Sequence, residues 1–246
     1  MSNGFLAAPR PARVRVVLAV LPAVLVLAVV VVVRGTGMHR SQVAAAQPAA
    51  PNALVPATRG SATPSPSSSA VPVQLVEGSH RVNGVAVGYP HTQAGAVSAA
   101  VEYLTQLDST LDPDRAVAIA DVIADREGGV NPASFRQGTI NSRTHLGLPT
   151  TGPVLTGASM NLGPVSYQIR EVAHNRITVL LLNYLTVITP AQGMRNLVVV
   201  IPCTLAWSLG DWKLRMRTDG DPDYAELRYP PGSAQAVAAG WLPVMA

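Results

Sequence analysis

The sequence predicts an α+β fold, with helices first and an antiparallel β-sheet after them, in a domain running from residue 75 to residue 246. Three observations predict it. Cap signatures at Thr92, Asp112-Pro113 and Asn131-Pro132 each precede a stretch of helical periodicity. From residue 165 the apolar period falls to two, and Asn175, Gln192-Gly193 and Gly210-Asp211 punctuate the runs as turns. The acidic residues, finally, all lie from Glu77 onward, so whatever precedes that point is of a different character.

Residues 16–33, "VVLAVLPAVLVLAVVVVV", form an apolar run without a polar side chain. As a helix it spans roughly 27 Å, close to the thickness of a bilayer's hydrocarbon core, and Pro22 is tolerated near its end. Arg10, Arg13 and Arg15 precede it with no acid beside them, which places residues 1–15 in the cytoplasm and the rest outside. A cleaved signal peptide is the rival reading, with "QVAAAQ" at residues 42–47 as its small-residue site. Against it, the run is long for a signal core and that site lies well past its end. Residues 34–74 are rich in Pro, Ala, Ser and Thr and contain no acid, so they cannot bury enough surface to order themselves and are expected to be a disordered tether. Its residues 41–73 reach roughly 30 Å as a coil and about 100 Å if fully extended.

The pI near 9.6 is therefore misleading as a sign of nucleic-acid binding. Arg10, Arg13, Arg15, Arg34, Arg40 and Arg59 lie in the N-terminal part, and all 14 acidic residues follow. The remaining domain is slightly acidic, so no nucleic-acid partner is expected. Cys203 is the sole cysteine. It makes no intramolecular disulfide and sits in an apolar strand, where a buried, inert thiol is expected.

Thr92 caps the first helix, with Val97, Ala100, Val101, Leu104 and Leu107 along one face. Asp112-Pro113 opens the second, with Val117, Ala120 and Ile123 or Ala124 as its buried stripe, and Asn131-Pro132 opens a third reaching Asn141. Residues 147–164 read as a long, breaker-rich connection. Strands are expected at residues 165–172, 177–188, 197–209 and 212–217, joined as a meander. The second is apolar on both faces except Asn183, which makes it central and covered. In the third, Leu197, Val199, Ile201, Cys203, Leu205, Trp207 and Leu209 share the inward face, and Pro202 implies a bulge or an unpaired edge. "SAQAVAAGWLPV" suggests a short helix on the sheet's rim.

Helices followed by a meander ending in "LAWSLGDWKLRM" resemble the cone-shaped, cystatin-like domain of the nuclear transport factor 2-like superfamily. More narrowly, "VNGVAVGYPHTQAGAVSAAVEYL", then "LAWSLGDWKLRM" and "AAGWLPV", resembles membrane-anchored proteins of actinobacterial integrative and conjugative elements. That resemblance implies a single-pass protein of the cell membrane, related to the bitopic assembly component of type IV secretion channels. It also implies a curved antiparallel sheet roofed by the early helices.

Enzymes of that superfamily place carboxylates, Tyr or His inside the cone. Here the inward strand positions are Val, Leu, Ile and Trp; Tyr103, Asp108, Asn183 and Tyr184 are the polar candidates, with ordinary packing roles expected for them. His80, His91, His145 and His174 lack ligand spacing, so no metal, no cofactor and no catalytic residue are expected. Lys213, Arg215 and Arg217 alternate with Trp212, Leu214 and Met216, and face outward either as a solvated face or as a partner-binding surface. The function expected is non-catalytic: a scaffold or assembly component that docks other envelope or secretion-channel proteins through protein–protein contacts, with homo-oligomerisation left open. A ligand- or lipid-binding envelope domain is the alternative, and a cryptic enzyme of the same fold comes third.

Overall fold

The computed structural model describes residues 72–218 and 220–245. The expected cytoplasmic tail, the membrane span at 16–33 and the tether up to residue 71 lie outside them. No helix among the described residues is long and apolar enough to cross a membrane.

The described chain is α+β, with four helices packed against an antiparallel sheet. It opens with a hairpin of β1 (His80–Val82) and β2 (Val85–Val87), turned by Asn83 and Gly84, both at positive φ. Then come α1 (Gln93–Asp108), α2 (Pro113–Ile123), a 3-10 turn (Pro132–Ser134) and α3 (Phe135–His145). Each expected cap is made. Thr92 accepts from Gly95 N, Asp112 from Asp114 N and Arg115 N, and Asn131 from Ala133 N. The Asn131 cap opens only the 3-10 turn, and the helix after it runs on past Asn141 to His145. In α2 the buried stripe is Ala116, Ile119, Ala120 and Ile123, leaving the expected Val117 half-buried. The face of α1 is built of small residues, Gly95, Ala96, Ala99 and Ala100, which let the helix lie close. A Cβ on Gly95 would collide with Pro90 O.

The main sheet has strand order β6-β5-β4-β3-β7, from β3 (Ser159–Ala173), β4 (Arg176–Thr189), β5 (Gly193–Ser208), β6 (Asp211–Arg215) and β7 (Leu242–Pro243). β3 begins at Ser159, inside what the sequence presents as a connection. Met160 and Leu162 pair with Val187 and Leu185, and a register shift between Pro164 and Ser166 absorbs the breaker. β4 is central and buried from Ile177 through Asn183, as its two-sided apolar pattern requires. Pro202 pairs with Leu180 in unbroken register and sits where β6 does not reach, so the unpaired edge, not the bulge, is what it marks.

Two apolar layers follow from the alternation in β4. Val179, Leu181, Cys203 and Leu205 face α1 and α2, meeting Val97, Tyr103, Ile119 and Ile123. Leu180 and Leu182 face the other way and are covered by Ala236 and Trp241. The last segment, with α4 (Ala234–Ala238), therefore packs on the outer face of the sheet instead of its rim, and only β7 joins the rim. Each such large side chain, fully buried, stabilises by about 2 kcal/mol. Cys203 is 1% exposed, and burial pushes its thiol pKa up, which keeps it unreactive.

One buried charge has no signature in the local sequence. Arg143, 2% exposed, donates through Nε to Leu111 O and through Nη1 to Pro149 O and Gly152 O, at 2.6, 3.2 and 2.9 Å. The guanidinium fork stitches α3 to the α1–α2 connection and to the loop that follows α3, an arrangement an ammonium could not span.

Candidate functional site

The two stretches that carry the family resemblance, "GVAVGYPH" and "WSLGDWKL", are far apart in sequence and meet in space. Their meeting point is the carboxylate of Asp211, 6% exposed. Oδ1 accepts from Tyr89 N at 3.0 Å and from Trp212 N at 2.9 Å, while Oδ2 lies 3.2 Å from Lys213 Nζ and 3.4 Å from Tyr103 Oη. Tyr103 also donates to Trp212 O, and Trp212 Nε1 donates to Pro90 O, each at 3.0 Å. The β5–β6 hairpin is thereby latched to α1 and to the segment entering it. Burial raises the phenol pKa of Tyr103 far above its ordinary value, and the Asp211 charge adds to that, so Tyr103 stays a donor.

Beside this latch His91 stacks on Trp207 with centroids 4.2 Å apart, and meets Trp212 and His174 edge-on at 5.2 and 5.7 Å. His91 Nε2 also lies 3.0 Å from His174 O. Of the scattered histidines the fold thus unites His91 and His174, while His80 lies apart against Ser79 and His145 against Asn141 O. Among the described residues no group of three or more His, Cys, Asp or Glu converges as metal donors.

The three cations, Lys213 and Arg215 on β6 and Arg217 just beyond it, are not a free stripe. Lys213 Nζ donates to Val122 O in the last turn of α2 at 3.0 Å, and its side chain is 17% exposed. Arg215 Nε is 3.6 Å from the buried Asp125 carboxylate, and Arg217 donates to Pro222 O at 3.0 Å. Only Arg217 is exposed. The reason is that β6 is an edge strand with the end of α2 beside it, bridged at Ala124 and Leu214. Alternation defines the two faces of a strand but not what lies against its edge.

Beyond the latch the same hairpin rims a cleft of about 460 Å³, whose walls include His80, Val82, Asp121, Leu209 and Lys213. Leu209 was expected to face inward; it is 82% exposed because it forms the two-residue turn with Gly210 instead of ending the strand. Its φ is +53°, a left-handed conformation that costs a leucine about 1–2 kcal/mol. Val82, 40% exposed, shares the rim.

The remaining candidates are dispersed. Tyr184 is exposed on the outer face, and Asn183 is fully buried, with Nδ2 on Leu181 O at 2.8 Å and Oδ1 unpaired. Asp108 lies at a small crevice with Leu107, Phe135 and Met160, where burial pushes its carboxyl up to about 7.

A family model described as a domain of unknown function, DUF8175, matches residues 37–233, from the expected tether through the whole latch. The chain belongs to this family. The DUF8175 match holds both halves of the latch and Leu209, and stops short of α4 and β7. No curated protein and no solved structure matches the chain.

Proposed function

We propose that this DUF8175 protein is a single-pass membrane protein whose domain, exported beyond a tether, is a non-catalytic docking module of a conjugation or secretion assembly. The observation that carries the docking part is Leu209. A large apolar side chain held in a disfavoured backbone conformation, at the tip of a firmly latched hairpin and over a cleft, serves contact with another protein better than it serves the fold. The anchoring part rests on the apolar run at 16–33 and its flanking arginines. On this reading the five-stranded sheet corresponds to the cone of the superfamily that the motifs resemble, with helices preceding long antiparallel strands in the same order. The space between helices and sheet is occupied by Tyr103, Ile119, Ile123 and Leu181, all fully buried, which favours docking over ligand storage in that interior. Tethering raises local concentration, so one modest interface suffices.

The test is a photo-crosslinking amino acid at position 82, on the same rim as Leu209, in the full-length chain in its own cells. Adducts to an envelope or channel protein, lost in Leu209→Asn, are expected. Recovery of the intact chain from the soluble cytosol would overturn the anchoring, and the absence of any protein adduct would overturn the docking.

A further inference from the structure

β5 is longer than the strand beside it. β4 pairs with it back to Gly193, whereas β6 covers only Thr204 through Ser208. Among the described residues, no strand pairs with Gly193 through Cys203 on the β6 side.

One hydrogen bond fixes which groups face this gap. Trp207 N donates to Asn175 O on the β4 side at 2.8 Å. Backbone direction alternates along a strand, so Ser208, Ala206 and Thr204 face β6. Met194, Asn196, Val198 and Val200 then turn their N–H and C=O into the open edge. Pro202, next in that series, has no N–H and ends it. Open edges are templates for further strands, and proteins usually blunt them with bulges, lysines or central prolines. Along this stretch the β4–β5 register is unbroken, no Lys occurs, and the proline stands at its end.

We propose that this edge pairs antiparallel with the same edge of a second copy about a two-fold axis at Leu197, joining two sheets into one. That register sets Met194 opposite Val200 and Asn196 opposite Val198. Every free N–H then meets a carbonyl, and Pro202 is left outside. Arg195, the sole charged residue of the segment, faces Val199, so no like charges oppose each other. The chain also enters at the opposite side of the sheet. Val73 N donates to Tyr167 Oη at 2.7 Å, and Gln74 bridges Met245. At about 4.8 Å per strand the two N-terminal segments leave roughly 40 Å apart, clear of the interface. The pairing goes beyond the docking reading and requires neither a membrane nor a further partner.

The experiment is sedimentation of the full-length chain in mild detergent, with single substitutions. Wild type is expected to be dimeric. Asn196→Pro, which removes an N–H unused within the chain and places a ring where the second strand would lie, is expected to weaken the dimer at least about tenfold, or about 1.4 kcal/mol. Leu197→Cys should link into covalent dimers on mild oxidation, because the two copies of that position face each other. Met194→Cys should not, since its two copies lie roughly 20 Å apart. A chain that sediments as a monomer, including one whose own residues 1–71 cover the edge, overturns the proposal. So does a dimer indifferent to Asn196→Pro, or equal linking at 194 and 197.

Discussion

At the scale of single residues, the decisive group is the Asp211 carboxylate. In the sequence it reads as the second half of a Gly-Asp turn. In the fold it receives Tyr89 N, Trp212 N, Tyr103 Oη and Lys213 Nζ, and so ties residues far apart along the chain. Asp211→Ala leaves two amides without their acceptor and Lys213 without its counter-charge, and is expected to lower stability by about 3 kcal/mol. Asp211→Asn keeps an oxygen for the amides but sets an NH2 donor against Lys213 Nζ in place of Oδ2, so an intermediate loss of about 2 kcal/mol is expected. Denaturant midpoints of the purified chain decide this. A loss under about 1 kcal/mol in the alanine variant would show the latch to be dispensable. Arg143 was equally hidden, because its partners are the carbonyls of Leu111, Pro149 and Gly152, which any residue could supply.

At the scale of elements, the helix starts were legible because a cap and its helix are neighbours in sequence: Thr92, Asp112 and Asn131 each accept from amides two or three residues on. The β1–β2 hairpin has a local signal of the same kind, since Asn83-Gly84 between valines is the strongest short hairpin signal there is. The two positive-φ turns make an instructive pair. Asn83 suits its position and Leu209 does not. Leu209→Asn is therefore expected to raise stability by about 1 kcal/mol, seen as a rise in Tm of about 2–4 °C, while weakening the docking proposed for that tip. A Tm unchanged or lowered would mean that the leucine makes a contact the fold needs.

At the scale of the whole molecule, Asp108 gives the domain a pH dependence. Its folded pKa, pushed up to about 7 by burial from an ordinary 3.8, lies above the unfolded value. The stability associated with its protonated form is therefore fully present below about pH 4 and is lost as pH rises through about 7. Asp108→Asn should match wild type in Tm near pH 4 and exceed it increasingly up to pH 8; a gain independent of pH would refute the assignment. Composition, caps and alternation determined by themselves that this is an α+β domain with a central β4 and a buried Cys203, because those signals depend on neighbours along the chain and on a strand's period of two. Only the tertiary structure decided that Lys213 and Arg215 are engaged by the end of α2, that Leu209 stands at an exposed tip, and that β5 keeps an open edge. Each of those depends on which element lies alongside an edge or a turn, and that is set by packing between residues distant in sequence, which local periodicity does not record.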